Sequence, residues 1–101
     1  MAKVSSIEKN LARQNKIIKY SEKRKKLKDQ IYNKEISLQE RYDLIMKLSR
    51  ITRSSSPVRY RNRCAITGRP RGYYRDFGLA RNKLRELASF KQVAGVIKSS
   101  W

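Results

Sequence analysis

Residues 58–75 read Val58-Arg59-Tyr60-Arg61-Asn62-Arg63-Cys64-Ala65-Ile66-Thr67-Gly68-Arg69-Pro70-Arg71-Gly72-Tyr73-Tyr74-Arg75. Glycine and proline at 68, 70 and 72 exclude a helix, so short extended pieces joined by turns are expected. In an extended chain Arg59, Arg61 and Arg63 point to one side, because side chains alternate with period two. Planar guanidiniums in such a row can each fork onto phosphate oxygens. Gly68, Gly72 and Gly78 would let backbone N–H groups approach a phosphate closely. The interleaved Tyr60, Tyr73 and Tyr74 could stack on unpaired bases. Eight of the 13 arginines fall after residue 57, which favours structured, bidentate phosphate contacts over diffuse attraction.

Downstream, the pattern predicts a helix from about Ala80 to Phe90, with Leu84, Leu87 and Phe90 facing inward. Arg81 and Arg85 are four apart and share a face, with Lys83 between them and Glu86 as a salt-bridge or solvent residue. The tail from Gly95 is basic at Lys98 and ends in Trp101, expected either disordered or docked in a partner groove. Upstream, Ser54-Ser55-Ser56-Pro57 ends a helix, since the residue before proline avoids the helical region. That helix spans about 38–50 and starts at a capping box, Ser37 with Glu40. Its expected buried face is Leu38, Tyr42, Ile45 and Leu48 or Ser49, widened by Leu44 and Met46. Asn33-Lys34-Glu35-Ile36 connects it to a first helix with a Ser5–Glu8 capping box and a thin stripe of Ile7, Leu11, Ile18, Leu27 and Ile31. Residues 22–28 put positive charge all round that helix, which therefore needs an anion or a partner.

The whole chain has 101 residues, a single small domain in size, with 26 Lys and Arg against 8 Asp and Glu. The basic excess is uneven: residues 29–56 are nearly balanced, and both flanks are strongly cationic. Leu, Ile, Val and Phe together number only 23, little above the level at which charged chains stay disordered. A chain of this size buries roughly 60–65% of its unfolded surface, and a net charge of +18 opposes compaction. An incomplete core that finishes ordering on a polyanion is expected, with residues 1–35 partly disordered in the free protein. The absence of histidine excludes histidine-dependent catalysis, and no nucleophile–base pair suggests an enzyme. The single Cys64 excludes an internal disulfide and an all-cysteine metal site, and reads as a small buried apolar residue. No apolar run approaches the roughly 20 residues that span a bilayer. No secretory signal is present, so Met1 is read as the mature start. A DNA-binding module is the main alternative, although no helix-turn-helix signature stands out. A membrane-active helix over 7–31 has too sparse an apolar face for strong insertion.

One resemblance sharpens this. Asn62-Arg63-Cys64, Thr67-Gly68-Arg69-Pro70-Arg71-Gly72, Arg75-Asp76-Phe77-Gly78-Leu79, Arg81, Arg85-Glu86 and Lys98-Ser99-Ser100-Trp101 closely resemble small-subunit ribosomal protein number fourteen (the uS-fourteen family), in its longer bacterial and organellar branch. The likeness is dense over residues 53–101. Some members carry zinc on C-x2-C-x12-C-x2-C; the matching positions here are Cys64, Thr67, Ala80 and Lys83. One ligand of four remains, so no zinc is expected and no other cofactor is implied. Ala80 also stands where the zinc-free branch usually has serine, and Ala94-Gly95 replaces the usual Pro-Gly.

The resemblance implies a mainly α fold, small and extended. Residues 1–56 would form a basic helical hairpin, and residues 57–101 a zinc-ribbon-like Gly/Arg-rich segment without zinc, followed by a helix and tail. It implies a structural role in the head of the small ribosomal subunit, in bacterial cytoplasm or the mitochondrial matrix. The three-prime major domain of the rRNA and head proteins three, ten and nineteen would be neighbours, with the head ordered near the aminoacyl-tRNA site. No membrane and no small-molecule substrate is implied. The expected RNA-binding set is Arg53, Arg59, Arg61, Asn62, Arg63, Thr67, Gly68, Arg69, Arg71, Gly72, Tyr73, Arg75, Gly78, Arg81, Lys83, Arg85 and Lys98.

Overall fold

The computed structural model describes residues 2–99. It is mainly helical, with α1 at Val4–Tyr32, α2 at Leu38–Ser49 and α3 at Arg81–Ser89. A two-stranded antiparallel sheet pairs β1 (Tyr73–Tyr74) with β2 (Leu79–Ala80). Two single 3-10 turns, Arg53–Ser55 and Pro57–Arg59, follow α2. The chain divides into two compact units, one of residues 9–60 and one combining the first eight residues with those from 61 onward.

In the 9–60 unit, α1 is helical because it is built from long unbranched residues with no Gly or Pro inside. Its sheltered side is Asn10, Arg13, Ile17, Tyr20, Arg24, Leu27 and Ile31, spaced by threes and fours. Leu11 and Ile18, expected on that stripe, are 52% and 66% exposed. Each follows a sheltered residue by one position, and one residue is about 100° round a helix. Three polar residues thus occupy positions that an apolar count alone passes over. Of these, Arg24 ties α1 to the first 3-10 turn. Its Nε donates to Ser55 Oγ at 2.9 Å, and a terminal nitrogen donates to the Thr52 carbonyl at 3.3 Å. Ser55 is completely buried.

Helix α2 starts as expected. The Ser37 Oγ accepts from the Glu40 N–H at 3.3 Å, with Ser37 itself extended. Its sheltered side, however, is Arg41, Leu44 and Leu48, continued by Ile51. Leu38, Tyr42 and Ile45 are exposed instead, because the apolar arc of α2 is wider than the side that packs. Leu48 and Ile51 share a groove with Arg24. Arg41 closes the connector by donating to the Asn33 carbonyl at 3.0 Å.

In the other unit Cys64 and Ala80 are the only buried apolar side chains, and they are the only ones among all the described residues. Backbone bonds take over where the core is missing. Cys64 N–H donates to the Arg69 carbonyl and Gly68 N–H to the Cys64 carbonyl, at 3.0 and 2.9 Å, which closes the 64–69 loop. Gly68 lies at φ +73°, and a Cβ there would fall 2.6 Å from Ile7 Cδ1, so the first turn of α1 packs directly on this loop. That turn begins at Lys3, whose carbonyl accepts from Ser6 and Ile7. Ser5 is therefore inside the helix, and the expected Ser5–Glu8 cap is not formed. The 75–78 turn joins the strands, with Gly78 N–H donating to the Tyr74 carbonyl at 2.9 Å. Arg81 N–H donates to the Gly72 carbonyl at 2.7 Å and seats α3. Leu84 and Leu87 are sheltered as expected, but Phe90 is the C-cap residue and is 68% exposed. Trp101 lies outside the described residues. No helix among the described residues is long and apolar enough to cross a membrane.

Candidate nucleic-acid interface

The arginines sort by where their guanidiniums end. In the unit containing residues 61–99, Arg61 Nε donates to the Pro70 carbonyl at 3.0 Å and Arg63 to the Gly68 carbonyl at 2.9 Å. Two side chains on the same side of the strand-like segment thus grip one loop. The alternation read from sequence holds for this pair, yet it turns them toward protein. Arg59 does not extend the row, because it ends a 3-10 turn and belongs to the 9–60 unit. Arg63 is half-buried, and its Nε has no partner among the described residues.

Arg71, Arg75, Arg81 and Arg85 are exposed, and no described residue pairs with their side-chain charges. Arg81 and Arg85 are separated by one helical turn on the open side of α3. Lys98 is exposed as well. In the 9–60 unit Arg53 and Arg59 are exposed on the 3-10 turns and border the groove that holds Leu48 and Ile51. Lys83 is different: its Nζ pairs with Glu86 at 3.0 Å, so part of its charge is already answered.

A cleft of about 490 Å³ is lined by Ala2, Thr67, Arg69, Pro70, Ala80, Asn82 and Lys83. It lies beside the first turn of α3, which contains no acid and has no side-chain cap, because the N-cap residue is Ala80. The first N–H groups of such a helix carry partial positive charge and suit an anion. Asn82 is not in the sequence-based set. The signal for it is the alanine at 80, which removes the oxygen that would otherwise cap this turn.

The glycines separate too. Gly68 is buried and spends its N–H on Cys64, while Gly78 spends its own on Tyr74. Both serve close packing and turns rather than offering an N–H to a phosphate. Gly72 is exposed at φ +62°. Asn62 and Thr67 are half-buried. Of the tyrosine pair, Tyr73 is half-buried and Tyr74 is 50% exposed, as strand alternation requires. The open ring is therefore Tyr74, one position beyond the tyrosine in the expected set.

Of the positions that match the zinc pattern, Thr67 and Ala80 meet the Cys64 thiol. Burial raises the Cys64 pKa. The Thr67 hydroxyl and the N–H groups of Ala80, Thr67 and Ile66 outweigh it, lowering the pKa from 9.0 to about 7. The donors thus stabilise negative charge on sulfur. Among the described residues no cluster of three His, Cys, Asp or Glu side chains comes together.

Comparison with known proteins agrees with this geometry. Residues 47–100 match the family described as Ribosomal protein S14p/S29e. Small ribosomal subunit protein uS14 of Orientia tsutsugamushi (strain Boryong) is 56% identical over 101 residues, covering all of both chains. The protein of the same name from Rickettsia felis is also 56% identical over the full length of both.

Proposed function

This chain belongs to the Ribosomal protein S14p/S29e family, and from that premise we propose that it is a cationic clamp on small-subunit rRNA. It is a structural protein of the small ribosomal subunit and not an enzyme. Both relatives named above are bacterial, in keeping with the cytoplasmic alternative of the two compartments. The finer reading is that its exposed arginines neutralise phosphates where rRNA segments of the head, in the three-prime major domain, approach each other. Head proteins three, ten and nineteen would be the protein neighbours, and the ordered head would support the aminoacyl-tRNA site.

One observation carries this reading. Arg71, Arg75, Arg81 and Arg85 stay exposed without an internal partner, while the arginines beside them are bound to backbone carbonyls. Bringing RNA segments together costs phosphate repulsion, and each guanidinium placed between them lowers that cost. Arg53 and Arg59 would add contacts from the 9–60 unit. Arg69, Lys83 and Asn82 would hold a phosphate at the start of α3. Arg61, Asn62, Arg63, Thr67, Gly68 and Gly78 would act by fixing the loops, with Gly72, Tyr73 and Lys98 at the edge of the contact and Tyr74 stacking on a base.

The test is a titration of the full chain against a head-domain rRNA fragment and a duplex DNA of equal length. The fragment should bind at least tenfold tighter at moderate salt. Its log affinity should fall against log salt by about 0.7–0.9 per phosphate contact. Equal affinity for both would favour the general nucleic-acid-binding alternative, and a flat salt response would overturn the clamp.

A further inference from the structure

Gly68 is the only buried glycine among the described residues, and its cover comes from the far end of the sequence. A Cβ built there would lie 2.6 and 2.7 Å from Cδ1 and Cγ1 of Ile7 and 3.4 Å from the Cβ of Ala2, so both side chains lie over its bare Cα. The Lys3 carbonyl accepts from the N–H groups of Ser6 and Ile7 at 3.0 and 3.3 Å, which fixes Ile7 in the first turn of α1. That turn belongs to the same compact unit as residues 61–99. Val4, in the same turn, is 69% exposed, so one side of the turn does the covering.

The covered residue is a junction of hydrogen bonds. Its N–H donates to the Cys64 carbonyl at 2.9 Å, and its carbonyl accepts from Arg63 at 2.9 Å. Beside it, Cys64 N–H donates to the Arg69 carbonyl at 3.0 Å. Hydrogen bonds under apolar cover are stronger than those open to water, and a segment with few apolar contacts opens locally. Residues 61–99 supply little cover of their own, since Cys64 and Ala80 are their only buried apolar side chains. The residue after the junction is Arg69, and Ala2 lines the same cleft as Arg69 and Lys83. The first turn of α1 therefore touches both the loop and the cleft that the loop borders.

We propose that Ile7 is a positioning residue for the phosphate site at the start of α3: it covers the Gly68 junction and so holds the 64–69 loop with Arg69 in place. The proposal rests on the reading that Arg69 and Lys83 hold a phosphate there. Ile7 carries no charge and itself meets no phosphate. Its contribution is to lower the cost of ordering the loop that carries Arg69, which RNA would otherwise have to meet on binding. A residue remote in sequence from the arginine cluster, and without any polar group, thus sets how well one of those arginines binds.

The experiment measures two quantities on the full chain: its affinity for a head-domain rRNA fragment, and the rate at which a neutral reagent alkylates Cys64, its single thiol, in the saturated complex. Ile7→Ala should lower the affinity about fivefold and speed alkylation about tenfold, with the helical circular dichroism retained. Ile7→Val should bring both back to within about twofold of the unsubstituted chain, and Val4→Ala should move neither. Arg69→Ala should weaken binding by itself. Added to Ile7→Ala it should cost less than about twofold more, because an arginine already out of place has little left to lose. Losses that multiply would make Ile7 a general stabiliser and overturn the proposal. Unchanged affinity or unchanged alkylation in Ile7→Ala would overturn it too. A flat salt response of the unsubstituted chain would strike the clamp, and alkylation, which reads the loop and not the phosphates, would still decide whether Ile7 holds it.

Discussion

The unit of residues 9–60 and the unit that contains residues 61–99 face one shortage and meet it differently. The first has helices long enough to line up half-buried apolar residues, so Ile17, Leu27, Leu44 and Leu48 supply burial in small amounts. The second has almost no apolar interior, only Cys64 and Ala80, and depends on backbone bonds and turns that exclude any extra atom. Both recruit arginine as an internal tie: Arg24 to Ser55 and Thr52 in one, Arg61 and Arg63 to Pro70 and Gly68 in the other. A basic side chain in such a protein is therefore not a phosphate ligand by default. Its role depends on where its hydrogen bonds already end.

If the second unit is held by turns that exclude atoms, Gly68→Ala should be the most damaging small change. It forces an alanine to φ +73°, at a cost of about 1–3 kcal/mol, most of it left-handed strain because the end of the Ile7 side chain that the methyl meets can turn aside. Chemical denaturation should show that loss. A neutral outcome would mean that Gly68 does not hold its left-handed conformation in solution.

The second difference concerns sulfur. Because the folded thiol has a pKa near 7 rather than 9.0, the native state releases its proton before the unfolded state does. The resulting stability is full above pH 9, where both states are ionised, and is lost as pH falls toward 7. Denaturation midpoints of the free chain should rise over this window, and Cys64→Ala should abolish the rise. The 9–60 unit has no cysteine, so a pH response that survived the substitution would contradict this account.

The smallest effect belongs to the helical unit. Arg24→Ala should destabilise it by about 1–2 kcal/mol, since Ser55 loses a charged donor but keeps its own bond to Thr52. Far-ultraviolet circular dichroism during denaturation would report it. No change would reduce Arg24 to an ordinary surface cation.

Helix positions are largely legible in the residues. The Ser37 cap and the paired Leu84 and Leu87 leave little choice, whereas α2 ends at Ser49 and Pro57, expected to stop it, opens the second 3-10 turn instead. The buried faces are less so, because a helix with surplus apolar residues does not declare which half will be covered. Apolar character alone turns Leu38 and Tyr42 inward and charge alone turns Arg24 outward, and packing reverses both. In the candidate interface the arginine cluster is evident from density alone. The split between tying and open arginines is not, since it depends on carbonyls at Gly68 and Pro70 that only the folded loop brings near.

That split is the central claim, and the salt dependence of rRNA binding tests it most directly. Substituting three of the four open arginines (Arg71→Ala, Arg81→Ala and Arg85→Ala together) should lower the log–log salt slope by about 2–3, at up to one phosphate contact per arginine. The fold should be retained by circular dichroism. Arg24→Ala should leave the slope unchanged. Equal losses of slope from Arg24→Ala and from each open arginine would show that burial and internal bonding do not decide which cations meet RNA.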